Sequence, residues 1–281
     1  MPIILDHVTH TYMPGSAMAQ TAVNDISLTV QEGEFLCVIG PTGSGKSTLV
    51  QLMNGLLIAQ QGSVRVDELD LSDKKQRMLA RGRVGLVFQY PEYQLFEETV
   101  TKDVAFGPRN MKVPEDELSG RVNEALNMVG LAPELFGEKS PFDLSGGEKR
   151  RAALAGILAM RPKYLLLDEP MAGLDPKGRS SIIALLHALR DRTGCAIVMV
   201  SHSMDEVADN ADRVAVLNDG GLIALDTPGN IFSRPEKLTA LGLDTPQVAK
   251  LLVALKTRGV ALPQGIYKMD AILTALLEVL S

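Results

Sequence analysis

The sequence predicts an α/β fold with a doubly wound, mainly parallel sheet and helices on both of its faces. Short apolar runs alternate with helical patterns along most of the chain, from Phe35–Ile39 to Arg213–Leu217. A glycine-rich loop, Gly40–Ser47, lies between a strand and a helix, and a buried-looking run, Tyr164–Leu167, ends in two acids. Because ligands bind at the carboxyl ends of strands in such sheets, both features are expected at one edge.

The first third of the chain is predicted to be rich in β-structure, with glycine and proline at the turns. A helix is expected directly after the glycine-rich loop, and a polar stretch, Asp70–Arg83, separates two later strands. The predicted elements are strands at Ile3–His10, Ser27–Val30, Phe35–Ile39, Gly62–Val66 and Val84–Phe88, and a helix at Ser47–Met53.

The middle of the chain, from about residue 98 to residue 160, has a different character. Helical periodicity covers Glu115–Val129, and Gly146–Met160 is rich in alanine and leucine, which predicts a helical subdomain inserted into the α/β core. The alternation then resumes, with strands at Tyr164–Leu167, Cys195–Val200 and Arg213–Leu217 and helices at Ser180–Arg190 and Met204–Asn210.

The end of the chain forms a separate unit in this interpretation. Residues 1–235 are expected to be the main domain, and residues 236–281 a C-terminal helical extension. Ala249–Lys256 and Asp270–Leu280 are predicted amphipathic helices separated by Gly259–Pro263. Two interpretations stay open: the extension packs on its own domain, or it forms a contact surface for a partner subunit.

Composition limits the classes of function. The chain has 281 residues, 46% of them hydrophobic, and a net charge of −6, which argues against broad electrostatic binding to nucleic acid or anionic lipid. Its two cysteines, Cys37 and Cys195, lie in apolar runs and are expected to be buried free thiols. No signal-peptide pattern and no apolar run of about 20 residues is found, so any membrane role is expected to come through a protein partner.

The glycine-rich loop matches the phosphate-binding pattern G-x-x-x-x-G-K-[ST] at every position. Its glycines let consecutive backbone N–H groups converge on phosphate oxygens, and the following helix adds partial positive charge. Lys46 is predicted to reach the β- and γ-phosphates, and the Ser47 hydroxyl to ligate Mg²⁺. The predicted nucleotide-binding residues here are Gly40, Pro41, Thr42, Gly43, Ser44, Gly45, Lys46, Ser47 and Thr48.

Two further segments carry chemistry. Asp168, at the end of an apolar strand, is expected to hold Mg²⁺, and Glu169 to act as the general base for an attacking water. Leu144–Glu148 begins a helix with two glycines and a hydroxyl, which is a second anion-binding pattern. Because that pattern lies on the inserted subdomain, its Ser145, Gly146, Gly147 and Glu148 are predicted to close on the nucleotide of a second subunit.

With these motifs in this order, residues 3–235 resemble the ATP-binding cassette (ABC) ATPases. The resemblance implies a P-loop NTPase core with an N-terminal antiparallel β subdomain, and ATP with Mg²⁺ as ligands. It also implies roles for single residues: Gln89 senses Mg²⁺ and the membrane partner, Asp175 lies in the loop that crosses the dimer interface, His202 contacts the γ-phosphate, and Tyr12 stacks on adenine. Because of the Tyr12–Gln20 loop, a residue one or two positions from Tyr12 remains an alternative for the adenine contact.

A narrower resemblance follows Gln89. Tyr90–Val100 and Asp103–Pro108 are similar to the second-type ATPase of energy-coupling-factor (ECF) transporters. This implies a heterodimer with another ECF-type ATPase, a transmembrane T component, a separate substrate-binding S component, uptake of vitamins or other micronutrients, and a peripheral place on the cytoplasmic face of the cell membrane. Tyr93, Leu95 and Phe96 are expected to form an exposed docking cluster; the alternative is that they pack under the helical subdomain.

Other functions remain as alternatives at this point. One is a homodimeric ATPase serving a cobalt, nickel or amino-acid importer. A soluble ABC ATPase acting on nucleic acid or ribosomes is disfavoured by the single cassette and the net charge of −6. A regulatory cassette that binds ATP without hydrolysis is disfavoured because Glu169 and His202 are both present.

Overall fold

A six-stranded sheet forms the centre of the protein, as a computed structural model describes it for residues 1–258 and 267–280. Its strand order is β10-β9-β3-β8-β7-β6, and β10 alone pairs antiparallel with its neighbour. The predicted α/β fold is therefore confirmed. The strands are β3 (Phe35–Ile39), β6 (Val84–Val87), β7 (Tyr164–Asp168), β8 (Ala196–Val200), β9 (Arg213–Asn218) and β10 (Gly221–Asp226).

The central strands are short and apolar because helices cover both of their faces. Every residue of β3, β6, β7 and β8 is buried. Cys37 on β3 and Cys195 beside β8 are free and buried, as predicted, and burial raises the pKa of the Cys195 thiol to about 12. Thiols held protonated in this way are poor nucleophiles.

A second, four-stranded sheet has the order β2-β1-β4-β5 and packs against the first through a shared apolar core. Ile3 lies opposite Val30 on one side and Val66 on the other, which places β1 between antiparallel neighbours. Strand β2 starts seven residues earlier than predicted, because its first half is polar and mostly exposed. The strands are β1 (Ile3–Tyr12), β2 (Gln20–Val30), β4 (Gln61–Val66) and β5 (Leu69–Asp70).

Helices fill residues 100–158, in the region predicted as a helical subdomain. Buried side chains of three of these helices, including Val104, Leu126 and Leu154, share one apolar core with the central sheet. The sequence did not predict the first of them, which has Pro108 inside it. The four helices are α3 (Val100–Asn110), α4 (Glu115–Met128), α5 (Pro133–Phe136) and α6 (Gly146–Leu158).

The remaining helices connect the strands and end the chain. The two longer C-terminal helices were predicted within one or two residues, and the predicted separator Gly259–Pro263 lies outside the described residues. Within the part of the chain that the structure describes, no helix is long and apolar enough to cross a membrane. These helices are α1 (Lys46–Asn54), α2 (Lys74–Arg83), α7 (Pro176–Thr193), α8 (Met204–Asn210), α9 (Pro228–Phe232), α10 (Pro235–Ala240), α11 (Gln247–Thr257) and α12 (Met269–Leu280).

Candidate functional site

The glycine-rich loop connects the end of β3 to the start of α1 at the carboxyl edge of the central sheet. Gly45 caps α1 with φ +97°, and a Cβ at this position would lie 2.1 Å from the carbonyl oxygen of Ala22. Only glycine fits there, because the backbone is left-handed and β2 passes directly against it. Gly43 also has a left-handed φ of +82° but faces open space, so the loop is closed on one side and open on the other.

Lys46 is buried, and its ammonium group lies inside the loop. Nζ donates to the carbonyl oxygens of Gly40 and Pro41, each at 2.8 Å. Burial lowers the pKa of Lys46, while the nearby carboxylates of Glu169 and Asp168 oppose that shift. A lysine cation held at the N-terminus of a helix, beside free backbone N–H groups, favours a polyphosphate.

The loop forms one wall of a cleft of about 490 Å³. Five segments that are distant in sequence meet there, and they include most of the residues predicted from separate motifs. Because β8, β7 and β6 are neighbours, the residues that follow them converge at one edge of the sheet. The cleft is lined by Tyr12, Gln20, Ala22, Thr42, Gly43, Gly45, Lys46, Ser47, Thr48, Gln89, Glu169 and His202.

Asp168 ends β7 and is buried, and its Oδ1 atom has no hydrogen-bond partner among the described residues. Burial raises the pKa of this carboxyl, and a hydrogen bond from the Ser47 hydroxyl opposes the rise. Buried polar atoms without partners are rare in folded proteins. A free carboxylate oxygen beside a hydroxyl is the donor set that a divalent cation such as Mg²⁺ prefers, so these residues fit the predicted metal.

Glu169 is held from two sides. Its backbone is left-handed, with φ +51°, which is uncommon for a residue other than glycine. Gln89 Nε2 donates to Oε2 at 3.1 Å, and a hydrogen bond of 2.6 Å joins His202 Nε2 and Oε1. Glu169, the predicted general base, is therefore in direct contact with the predicted Mg²⁺ sensor Gln89 and with His202, which is predicted to contact the γ-phosphate. A strained turn and two hydrogen bonds fix its carboxylate.

Tyr12 lies at the cleft wall opposite the acids. Its hydroxyl is 3.1 Å from Thr48 Oγ1, and its ring packs edge-to-face on His10 at 4.9 Å between centroids. These contacts fix the orientation of the ring beside the glycine-rich loop. An aromatic ring held in this way offers a flat apolar face beside the loop.

The second glycine pattern lies apart from this cleft. Ser145 caps α6 in a capping box: its hydroxyl accepts from the Glu148 N–H, and the Glu148 carboxylate accepts from the Ser145 N–H at 2.8 Å. Gly146 and Gly147 are exposed, and a Cβ at Gly146 would meet open space. Of the residues that the structure describes as lining the cleft, none is one of these four. Asp175, the predicted interface residue, caps α7 by accepting from Gly178 N at 2.8 Å.

The structure corrects the predicted docking cluster at one position. Leu95 is 7% exposed and packs in the apolar core, because it leaves the short 3₁₀ turn Pro91–Gln94 toward the helical subdomain. Tyr93 and Phe96 are 84% and 56% exposed. Phe96 packs edge-to-face on Phe106 at 4.9 Å, which adds a second ring to this surface. The exposed patch therefore consists of Tyr93, Phe96 and Phe106.

The sequence analysis did not identify Arg150 as a site residue. It is buried in α6, and Nη1 donates to the Ala172 carbonyl at 2.8 Å, while Nη2 donates to the carbonyls of Pro170 and, at 3.3 Å, Gln89. One signal could have revealed it. Arg150 precedes the buried Leu154 and Leu158 at intervals of four residues, so it occupies the apolar stripe of its helix.

Comparison with known proteins gives a consistent result. Residues 23–172 match the family model described as ABC transporter. The energy-coupling factor transporter ATP-binding protein EcfA2 of Symbiobacterium thermophilum is 52% identical over 100% of this chain and 97% of its own length. The EcfA2 protein of Clostridium perfringens is 47% identical over 100% of this chain and 99% of its own length.

Solved structures give the same family of folds. CbiO1 of Clostridium perfringens, described as part of the ABC transporter complex CbiONQ, matches with a TM-score of 0.74 and 37% identity over 89% of this chain and 98% of that chain. A dimeric ATP-binding cassette, MJ0796, in a post-hydrolysis state with ADP and Pi, matches with a TM-score of 0.72 and 31% identity over 80% of this chain and 98% of that chain.

Proposed function

The chain belongs to the ABC transporter family of ATPases, and from this premise we propose that it is the second-type ATP-binding subunit of an ECF importer. The observation that carries the proposal is the pair of EcfA2 relatives, 52% and 47% identical, whose similarity covers all of this chain. The similarity thus includes the Tyr90–Phe96 segment and the helices beyond residue 235. The transported compound would be a vitamin or another micronutrient, bound by a separate membrane protein.

ATP is the nucleotide of this family, and the cleft suits it. The open side of the loop at Gly43 and the backbone N–H groups around it would take the β- and γ-phosphates, with Lys46 as the cation between them. Tyr12 would lie against the adenine ring. Ser47, Asp168 and Gln89 would hold Mg²⁺, which neutralises phosphate charge when bound.

Hydrolysis would depend on Glu169 as the general base. The hydrogen bonds from Gln89 and His202 place its carboxylate at the cleft wall, where it can orient and deprotonate a water molecule beside the γ-phosphate. Lys46 and His202 would then stabilise charge on the transferred phosphoryl group. No covalent intermediate is needed for this reaction, because positioning and electrostatics supply most of the rate enhancement in phosphoryl transfer.

A second ATPase subunit would complete each site. The Ser145–Glu148 N-terminus of α6 is exposed and lies outside the cleft of its own chain, so we place it on the nucleotide of the partner. Two ATP molecules bound in this way would hold the dimer closed, and hydrolysis would release it. ATP can drive the cycle because its affinity differs between the closed and open states.

Movement of the ATPases would reach the membrane through the exposed patch of Tyr93, Phe96 and Phe106. Tyr93 and Phe96 follow Gln89 closely in the chain, so a shift of Gln89 at the nucleotide would be transmitted to the surface over few residues. We assign to it the cytoplasmic helices of a T component, with the protein peripheral on the cytoplasmic face of the cell membrane. Residues 236–281 are assigned to contact with the second ATPase.

The experiment that tests this function is micronutrient uptake by cells that carry the complete transporter. Lys46→Ala is expected to abolish uptake of the labelled vitamin while the complex still assembles, because only nucleotide binding is lost. Lys163→Ala, which removes a lysine bonded to Asp67 outside the cleft, is the matched control and is expected to retain uptake. Normal uptake by the Lys46→Ala complex would contradict the proposed function.

A further inference from the structure

The guanidinium group of Arg150 connects three segments that meet around the cleft. Besides its bonds to Ala172, Pro170 and Gln89, Nη2 lies 3.5 Å from the Glu169 carbonyl oxygen. The side chain is buried, at 7% exposure. Arg150 therefore holds the turn after β7, which carries Glu169. It also holds Gln89, which follows β6 and orients the Glu169 carboxylate.

This environment is unusual for a charged group. Buried arginines normally pair with carboxylates, because the loss of hydration is costly. Here the hydrogen-bond acceptors are main-chain carbonyls, burial lowers the pKa of Arg150, and Glu92 supports the charged form from a longer distance. The planar guanidinium, with five N–H donors in a fixed geometry, can serve several carbonyls at once, whereas a lysine ammonium cannot match that arrangement.

The position of Arg150 on α6 connects these contacts to the N-terminus of the helix. Arg150 lies five residues after Ser145, about 7.5 Å along the helix at 1.5 Å per residue. The helix α6 spans Gly146–Leu158 without a break, so its N-terminus and Arg150 move together. Its N-terminus is the part assigned above to the nucleotide of the partner subunit.

We propose that Arg150 is a positioning residue that links the partner's nucleotide, bound at Ser145–Glu148, to the placement of Glu169 and Gln89 in this subunit's own cleft. The proposal rests on the proposed function, since it needs a composite site and a hydrolytic role for Glu169. Closure of the dimer moves α6, and Arg150 passes that movement to the carbonyls on both sides of the catalytic carboxylate. Occupancy of one site thereby affects hydrolysis at the other.

The left-handed backbone of Glu169 makes this link effective. A residue at φ +51° is held there by its surroundings, and the Arg150 bonds to the carbonyls of Glu169 and Pro170 are part of those surroundings. Without them the turn can relax, and the carboxylate loses its place between Gln89 and His202. A displacement of about 1 Å in a catalytic group can lower a rate by about 100-fold.

The test compares Arg150→Met and Arg150→Lys with Arg213→Met in the complete ATPase complex. Arg213 is half-buried, bonds to Glu34 and to the Thr29 carbonyl and lies outside the cleft lining, so its loss measures the general effect of removing a hydrogen-bonded arginine. We expect kcat for ATP to fall by about 10- to 100-fold in Arg150→Met with KM within about threefold of wild type. Arg150→Lys is expected to recover only part of the loss, and Arg213→Met to stay within about twofold.

The split between kcat and KM is the readout that a merely structural role would not give, and hydrogen exchange shows whether the effect is confined to the turn that carries Glu169. In Arg150→Met the amides of residues 168–175 are expected to exchange faster, while those of the α1 segment 46–54 stay as in wild type. Equal kcat in folded Arg150→Met and wild type, or equal losses in Arg150→Met and Arg213→Met, would overturn the proposal. If Arg150→Met does not assemble, full activity of Arg150→Lys would overturn it as well. A wild-type complex without ATPase activity would contradict the proposed function instead.

Discussion

At the scale of single residues, the site depends on a few side chains whose chemistry follows from contacts that the sequence does not contain. Glu169 could be predicted from its place after an apolar strand, and His202 from the family resemblance. The hydrogen bonds that join Glu169 to His202 and Gln89 arise because β8, β7 and β6 are neighbours in the sheet. The burial of Leu95 and of Arg150 was not predicted, because it depends on how the helical subdomain packs; only the place of Arg150 in the apolar stripe of α6 was a signal in the sequence.

Glu169→Gln tests the general base. The amide keeps the size of the side chain but cannot accept a proton, so ATP should still bind while turnover falls by about 10²- to 10⁴-fold. ATP affinity and hydrolysis rate are measured on the same preparation. Glu124→Gln, which removes an exposed carboxylate paired with Arg161, is the control and should leave both values unchanged. Hydrolysis by Glu169→Gln at a near-normal rate would remove Glu169 from this role.

Gly45→Ala tests the tight contact behind the glycine-rich loop. A Cβ there would lie 2.1 Å from the Ala22 carbonyl oxygen, so the loop or β2 must shift. Gly194 also has a left-handed backbone, with φ +69°, but its Cβ would meet open space. We expect Gly194→Ala to lower the free energy of unfolding by about 1 kcal/mol, from backbone strain alone.

Gly45→Ala should cost about 1–3 kcal/mol more than Gly194→Ala, and it should weaken ATP binding. Urea unfolding and nucleotide titration measure the two effects. Equal stability losses in the two variants would show that the contact with Ala22 adds nothing to the strain of the left-handed backbone.

At the scale of elements, the sequence predicts what is local and misses what is not. Buried strands such as β3 and β8 are continuous apolar runs, and the glycine-rich loop is a local pattern, so both could be predicted. Helix α2 has only Ala80 buried among its ten residues and therefore shows no apolar periodicity. Pro108 interrupts the apolar pattern of helix α3, and the sequence did not predict this helix for that reason.

Asp67 links several elements at the edge of the sheet opposite the cleft. Its carboxylate accepts hydrogen bonds from Arg83, Lys163 and the Tyr164 hydroxyl, at 2.7–2.8 Å. Burial alone would raise the pKa of Asp67, but the hydrogen bonds from Lys163, Tyr164 and Arg83 outweigh it and hold this pKa below its usual range. The N-terminal sheet is joined in this way to α2 and β7.

Asp67→Asn should therefore lower the free energy of unfolding by about 1–3 kcal/mol at pH 7. Because the folded pKa is depressed, the contribution is fully present above the unfolded value of about 3.9 and is lost as the pH falls through the lower folded value. Wild type and variant should converge in stability below about pH 3. Denaturant unfolding measured between pH 7 and pH 2.5 checks this, and a difference that is independent of pH would contradict it.

At the scale of the whole molecule, the protein is one subunit of a larger transport complex. The exposed N-terminus of α6 and the exposed rings after Gln89 are two surfaces that we assign to other subunits. The similarity to EcfA2 relatives extends over the whole chain and therefore includes both surfaces. The net charge of −6 fits partners that are proteins rather than nucleic acids.

Phe96→Asp tests the surface assigned to the membrane component. Phe96 is 56% exposed, so a charge there should leave ATP binding and folding intact while it prevents docking of an apolar partner. Ile223→Asp is the matched control, because Ile223 is 57% exposed on β10. Recovery of the membrane component with tagged subunits is expected to fall at least tenfold for Phe96→Asp only. Equal recovery with both variants would remove this surface from the account.

The composition of the native complex tests the central claim most directly. The tagged chain is purified from detergent-solubilised membranes, and the intact complex is weighed by native mass spectrometry. The account predicts one copy of this chain with a different ABC ATPase, a transmembrane T component and a smaller substrate-binding membrane protein. A homodimer of this chain, or a complex without any membrane protein, would contradict the account.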